Sequence, residues 1–565
     1  MWLINTKSLE LELVLEPLRG SYAILSHTWE DGEVSYQEFR DLSRARSKKG
    51  FAKILRTCQL AAKRGVKYAW VDTCCIDKLS SSELSEAINS MFKWYMDSAF
   101  CVVFLSDLPQ RSAFEKYFPR CRWLTRGWTL QELIAPPTVE FYDEAWQFRG
   151  QKSELKPFLA RVTGIEEAVL GDNENTFQVP IARRMSWASA RTTTRTEDMA
   201  YCLMGIFNVN MPMIYGEGPK AFMRLQEEIA RESCDLSLFA WKAEKPSTKF
   251  SEKGSNASQE YRGIFARSPR EFASCRNLQL RIKDATLDKE FTVTNRGLRI
   301  ETALVNAPSV SHDLIWNLGV SEIGDWPKYS AEGWMGVYLA KTVSGYVRAK
   351  PYELYTSRPD DKRLRCKTSL MHIRKDLHIS QARSVQGRFR GAVSVNIPKA
   401  ECEILTVAPE YLWDRNRKIF LNSGQGINAY LLLKVPPRPG FDSGFPVLVA
   451  CSTMDEPVCA IWSKDSGLWD SVVDFMNNAK EAADYVAADY FRMHFIDSDR
   501  PAPSSTASIT LDNYASNLAL TVQVQLRPSS FEGQEGYSLD LQVSTKASVR
   551  RRGSFYSYRT TINSR

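Results

Sequence analysis

The sequence predicts an α/β domain followed by a β-rich domain. Three observations predict it. Over residues 1–150, short apolar segments alternate with amphipathic helical ones, the pattern of strands joined by crossovers in a parallel sheet. The stretch Lys242–Ser258 (KAEKPSTKFSEKGSNAS) is polar and lacks a core pattern, so it reads as a linker. Beyond it, short segments rich in Val, Ile, Leu and Tyr alternate apolar with polar, as strands of a sandwich or barrel do. The predicted organisation is an α/β core over 1–150, a helical extension over 151–243, a β-rich domain over 244–545 and a basic disordered tail over 546–565.

The elements follow in order. Tyr22–Ser26 is the first strand of the core. Lys53–Lys63 places Ile54, Cys58, Ala61 and Ala62 on one helical face, with Gly65 as its stop. Lys67–Asp72 is the second strand. Ser80 with Glu83 predicts a capping box before a helix whose stripe is Leu84, Ile88, Met91 and Tyr95. Phe100–Leu105, a continuous apolar run, predicts a strand covered on both faces. Thr125 suits the cap of a short helix, Trp128–Ala135, that Pro136-Pro137 ends. Val139–Tyr142 is the fourth strand. In the extension, Thr194 and Glu197 predict a second capping box before Met199–Phe207. Pro219 suits the first turn of a helix that buries Phe222, Leu225 and Ile229. The β-rich strands are Phe291–Thr294, Trp334–Leu339, Ala392–Ile397, Ala429–Val435, Val447–Cys451, Leu518–Leu526 and Tyr537–Val543, with Pro501–Ser505 a surface loop.

Composition narrows the function. The 565 residues are 44% apolar and 25% charged, ordinary globular values. The longest apolar run, Ala99–Leu105, falls far short of the ~20 residues of a membrane helix, so no membrane span is expected. The N-terminus lacks the basic-then-apolar pattern of a secretory signal and soon carries Glu10, Glu12 and Glu16. The chain therefore reads as cytoplasmic. Net charge is +8, but Lys546–Arg565 alone carries +6, with Arg550-Arg551-Arg552 at its centre. The remainder is near neutral, which argues against nucleic acid as a partner. The twelve cysteines include one adjacent pair, Cys74-Cys75, and no Cys-x-x-Cys, so they read as reduced thiols and not as a zinc site. His312, His372, His378 and His494 show no metal spacing.

In open parallel sheets, ligands bind beyond the carboxyl ends of the strands. Those ends supply Ser26, His27 and Trp29 from the first strand, Asp72 and Asp77 from the second, and Ser106 from the third. The short helix after the third strand carries Trp128 and Glu132, four apart and so on one face. An indole beside a carboxylate suits a cationic heteroaromatic ring on a sugar. The ring stacks, and the carboxylate stabilises an oxocarbenium-like transition state as the glycosidic bond breaks. Rival readings stay open. His27 suits either an acid–base role or a polar strand end. Asp72 and Asp77 suit either a ribose hydroxyl or a loop cap. Arg111, Lys116, Arg120, Arg122 and Arg126 suit either phosphates or a solvated loop. Gly216-x-Gly218-x-x-Ala221 superficially fits a dinucleotide fingerprint, but Pro212 spoils the strand that should precede it.

Several longer segments carry a family resemblance. YAILSHTW at 22–29, WVDTCCIDK at 70–78, ELSEAINSM at 83–91, RGWTLQEL at 126–133, MSWAS at 185–189 and YGEG at 215–218 resemble the fungal heterokaryon incompatibility (HET) domain, in order, over about residues 1–240. The resemblance implies a role in fungal non-self recognition, in which incompatible fusion cells die. HET domains look in turn like remote relatives of Toll/interleukin receptor (TIR) domains, which implies a TIR-like, flavodoxin-like sheet. Trp128-Thr129-Leu130-Gln131-Glu132 is similar to the TIR pattern Trp-Cys-x-x-Glu, with Thr129 in place of Cys. That implies Glu132 as the catalytic residue and Trp128 as a nicotinamide-side contact. NAD is then the substrate, and no resident cofactor is required. The rival expectation is a non-catalytic module that signals through self-association of its HET domain and an unidentified protein partner. A third is an inert copy.

Overall fold

The computed structural model describes residues 1–245, 260–281, 290–307, 313–323, 333–357, 368–398, 401–422, 426–441, 443–454, 457–464, 469–478, 505–513, 518–547 and 556–562. Most of the expected linker, Pro501–Ser504, Arg550–Arg552, His312, His494 and Cys366 lie outside the described residues.

The N-terminal sheet has seven strands: β1 (Trp2–Asn5), β2 (Leu11–Leu13), β3 (Tyr22–His27), β4 (Tyr68–Trp70), β5 (Phe100–Phe104), β6 (Val139–Tyr142) and β7 (Phe148–Gln151). Their spatial order is β2-β1-β4-β3-β5-β6-β7. The four central strands are parallel, and β1, β2 and β7 add antiparallel edges. Every residue of β3 and β5 is buried, as continuous apolar runs demand. Counted along the chain, the parallel strands stand second–first–third–fourth. The direction of connection therefore reverses between β3 and β5, the switch point where such sheets bind ligands.

Helices α1 (Phe51–Lys63) and α2 (Ser81–Asp97) carry the crossovers. Ser80 caps α2 by accepting the Glu83 amide at 3.3 Å, but the Glu83 carboxylate turns to the Asp77 amide instead of back to Ser80. The expected box is half formed because the Asp77 loop competes for it. Helix α3 (Thr129–Ile134) is buried on all sides. Thr125 does not cap it; Thr125 closes a 3-10 turn over Arg122–Thr125. At the far end of α3, the Lys152 ammonium donates to the Leu133 and Ile134 carbonyls at 3.2 and 3.4 Å, satisfying groups the helix cannot. In the extension, Met199–Phe207 splits into short helices at Asp198–Tyr201 and Met204–Phe207. Helix α4 (Lys220–Glu232) buries Phe222, Leu225 and Ile229, as its spacing predicts.

Beyond residue 260 the described residues form sheets of ten, seven and four strands. The predicted β segments all appear there, as Phe291–Thr294, Met335–Thr342, Val393–Asn396, Asn428–Val435, Phe445–Ser452, Leu518–Phe531 and Gln534–Ala547. The packing, however, runs straight across 243/244. One apolar core extends from Leu3 to Ile373, and a second from Val393 to Leu541. Two buried devices stitch the junction. The Gln226 amide bonds both ways with the Ala266 backbone, at 2.9 Å each. Fully buried Arg348 lies 3.7 Å over the Trp241 ring and donates to the carbonyls of Phe239, at 2.8 Å, and Trp241. Leu236, Leu238, Phe239 and Trp241 are too apolar to end a domain, so they seat against the first β-rich sheet. The basic tail also departs from expectation. Tyr556–Ile562 pairs antiparallel with Thr506–Asn513 as an outer strand, because aromatic and β-branched residues in this segment favour the ladder over solvent.

Candidate functional site

The site grows from the carboxyl end of β3. Ser26 and His27 end that strand, both buried. Helix α3 packs beside them and brings Glu132 to Ser26. The Ser26 hydroxyl accepts the Trp123 indole N–H at 2.7 Å and donates to Glu132 Oε2. Glu132 is only 7% exposed. Burial pushes its carboxyl up, and Asp72 adds to this. Arg126, the Ser26 hydroxyl and Arg191 draw it back, which leaves it at about 7. The Arg191 guanidinium is itself buried and donates to the Arg126 carbonyl and the Thr129 hydroxyl, each at 2.8 Å. Glu132 thus sits in a sealed pocket of chain and not in an open cleft.

A charged cluster borders this pair. His27 Nε2 stands 3.6 Å from Glu33 and Nδ1 3.9 Å from Asp72, while its carbonyl accepts from Arg126 at 2.6 Å. Burial pushes Glu33 up, but His27 and Lys53 outweigh it and hold the carboxyl down at about 2. Asp72 accepts the Trp29 indole N–H at 2.8 Å. Trp29 is 47% exposed, and the Lys78 ammonium lies 3.7 Å over its ring. Ser106 donates to Glu30 at 2.8 Å, and Arg122 reaches both. Lys53, 3.6 Å from Glu30 and bonded to Glu33, links this rim back to His27.

The structure therefore brings Ser26, His27, Trp29, Asp72, Ser106 and Glu132 to one edge of the sheet, at the β3/β5 switch point. Two expected residues are employed elsewhere. Asp77 accepts from Gln37 at 2.6 Å and from the Leu79 amide at 2.9 Å, a loop-capping role. Trp128 acts on Asp198, in the helical extension: burial pushes that carboxyl up, and Trp128 is among the groups that draw it back. Sequence reading missed Trp123, Glu33, Lys53, Lys78 and Arg191. Only the Arg-rich loop hinted at any of this, through Arg122 and Arg126. A separate groove of about 700 Å³, lined in part by Cys402, Val407, Trp413, Lys418 and Lys434, lies in the β-rich region and shares nothing with this edge.

No metal-ligating cluster occurs among the described residues, and none of their helices is long and apolar enough to cross a membrane. The eleven cysteines described are free thiols.

Comparison with known proteins shows what parts of the chain are similar to. Residues 22–116 match the heterokaryon incompatibility protein (HET) family, and residues 220–310 match a domain of unknown function, DUF8212. The second match straddles the 243/244 junction, as the packing does. The chain is 50% identical over 222 residues to the vegetative incompatibility protein HET-E-1 of Podospora anserina. That alignment covers 37% of this chain and 16% of the relative. No solved structure matches significantly. Glu132 lies beyond the residues matched to the family, while Ser26, His27, Trp29, Asp72, Asp77 and Ser106 lie within them. The likeness to HET proteins thus falls on the N-terminal α/β part, and the chain spans about a sixth of the length of the curated relative it matches.

Proposed function

We propose that this chain acts in the cytoplasm in fungal vegetative incompatibility, its HET domain triggering cell death once a partner signals non-self. The observation that carries this is the 50% identity over 222 residues to a vegetative incompatibility protein, together with the HET match. We place the effector site at the β3/β5 switch point. The second–first–third–fourth order of the parallel strands supports a TIR-like, flavodoxin-like reading of the sheet. In that reading NAD is the substrate. Its glycosidic C–N bond breaks, the bonding pair leaves with nicotinamide, and ionised Glu132 stabilises the ribosyl cation until water adds and loses a proton.

A second reading has its own support. Glu132 is sealed and internally bonded to Ser26, which suits a module that kills through assembly with partners and uses Glu132 to hold its fold. The test is NAD consumption by the purified full chain at high concentration, wild type against Glu132→Gln. Turnover that Glu132→Gln abolishes supports the enzyme. Absent turnover in a wild-type chain that still kills fungal cells supports assembly. A chain that neither turns over NAD nor kills on overexpression defeats both.

A further inference from the structure

Residues 191–198 cross the N-terminal end of α3 as a strap. The Thr192 amide donates to the Thr125 carbonyl at 2.6 Å, and the Gly127 amide to the Thr192 carbonyl at 2.8 Å, so the strap pairs with 125–127 like a short strand. Gly127 is required there. A Cβ on it would stand 2.6 Å from the Thr193 methyl and 2.9 Å from Cys202 Sγ. Arg191, at one end, bonds the first turn of α3, and Arg191, Cys202 and Glu132 act on one another electrostatically. The strap is thus bonded through Arg191 and Thr192 to the start of the helix that carries Glu132.

Its other end is held by a catch. Glu197 Oε1 accepts the Gly216 amide at 2.8 Å and the Gly218 amide at 3.0 Å. Both glycines have positive φ, +100° and +59°, and their Cα hydrogens face open space. Backbone amides that converge in such a turn form a concave anion seat, and here the Gly216 and Gly218 amides, two residues apart, hold the chain's own carboxylate. Asp198, next in sequence, takes the Tyr215 hydroxyl at 3.0 Å. The Tyr215–Gly218 segment is therefore a clasp for the strap and not a dinucleotide loop.

We infer that residues 191–198 are an autoinhibitory strap that seals the Glu132 pocket, with Glu197 in the Gly216/Gly218 seat as its catch. The inference rests on the switch point being the effector site. It explains how a carboxyl that is 7% exposed meets a substrate, because a partner or an anion that takes the seat frees the strap.

The test uses the full chain and two readouts. Glu197→Ala empties the seat, whereas Glu197→Gln keeps an oxygen that accepts both amides. Site-resolved thiol labelling follows Cys202, buried beneath the strap. The strap predicts that Glu197→Ala speeds Cys202 labelling about tenfold or more, the scale of one lost charge-assisted hydrogen bond, with Cys58 and Cys101 still protected. Glu197→Gln, which keeps the acceptor and loses only the charge, falls between wild type and Glu197→Ala. NAD turnover or killing then rises in Glu197→Ala and falls again when Glu132→Gln is added. Unchanged Cys202 labelling in Glu197→Ala overturns the strap. Labelling of Cys58 and Cys101 together with Cys202 shows general unfolding and also overturns it. Faster Cys202 labelling with no gain in turnover or killing keeps the strap but rejects the switch point as effector site.

Discussion

Replacing Glu132 by Gln should stabilise the protein at neutral pH and do nothing at acid pH. The folded carboxyl ionises at about 7, because it is buried beside Asp72, while an unfolded glutamate ionises near 4.5. The folded state then binds the proton more tightly than the unfolded state between these values. Stability contributed by this group falls as pH rises through that window. Below pH 4.5 both states hold a neutral acid and there is no penalty. Above 7 the fold carries a buried charge at a cost of about 3 kcal/mol. The amide introduced by Glu132→Gln cannot ionise, and its carbonyl still accepts the Ser26 hydroxyl. Melting curves of wild type and Glu132→Gln should therefore converge at pH ~4 and separate by pH ~8, with the variant higher by roughly 3–5 °C for a cooperative unit the size of the core that runs from Leu3 to Ile373. A variant less stable than wild type at pH 8, or a gap that does not change with pH, would refute the argument. Either result would mean that the Glu132 charge is compensated by Arg126 and Arg191 more fully than its burial implies.

Other expectations follow from the same contacts. Ser26→Ala strips the acceptor from the Trp123 indole and the donor from Glu132, so it should cost about 2–4 kcal/mol in urea unfolding; a loss under about 1 kcal/mol contradicts the pairing. Gly127→Ala meets Thr193 and Cys202 and should lower stability by about 1–3 kcal/mol, read as a drop in melting temperature; an unchanged value means the strap gives way freely. A fragment ending at residue 243 exposes Trp241 and Phe239 and takes the Ala266 backbone away from Gln226. It should aggregate or bind a hydrophobic dye, whereas a fragment ending near residue 390 should stay soluble.

The α/β half was legible because its strands are unbroken apolar runs and its helices keep clean stripes. Tyr22–His27, Phe100–Phe104 and Phe51–Lys63 show this. The hairpin of β1 and β2 was not legible: Trp2–Asn5 and Leu11–Leu13 are too short for a period and owe their pairing to the open β4 edge. The 243/244 break looked like a domain boundary because polarity changes there. What sequence does not display is that Arg348, over a hundred residues on, caps the carbonyls of Phe239 and Trp241. The same limit applies at the site. Strand ends located Ser26, His27, Asp72 and Ser106, because strand direction alone puts them on one edge. Trp123 and Arg191 act on Glu132 through tertiary contacts with no local pattern. Trp128 was placed by a four-residue spacing that holds on the helix, but it also acts on Asp198, in the helical extension.

If the β3/β5 edge, with Glu132 at its heart, is the working end of this protein, killing depends on the Glu132 carboxylate. The most direct measurement expresses the full chain and its Glu132→Gln variant in a fungal host at equal soluble levels. Cell viability and cellular NAD are then followed in the same cultures. The wild-type chain should kill and deplete NAD, and the stably folded variant should do neither. Killing at full strength by the variant, with NAD unchanged in both cultures, would contradict it.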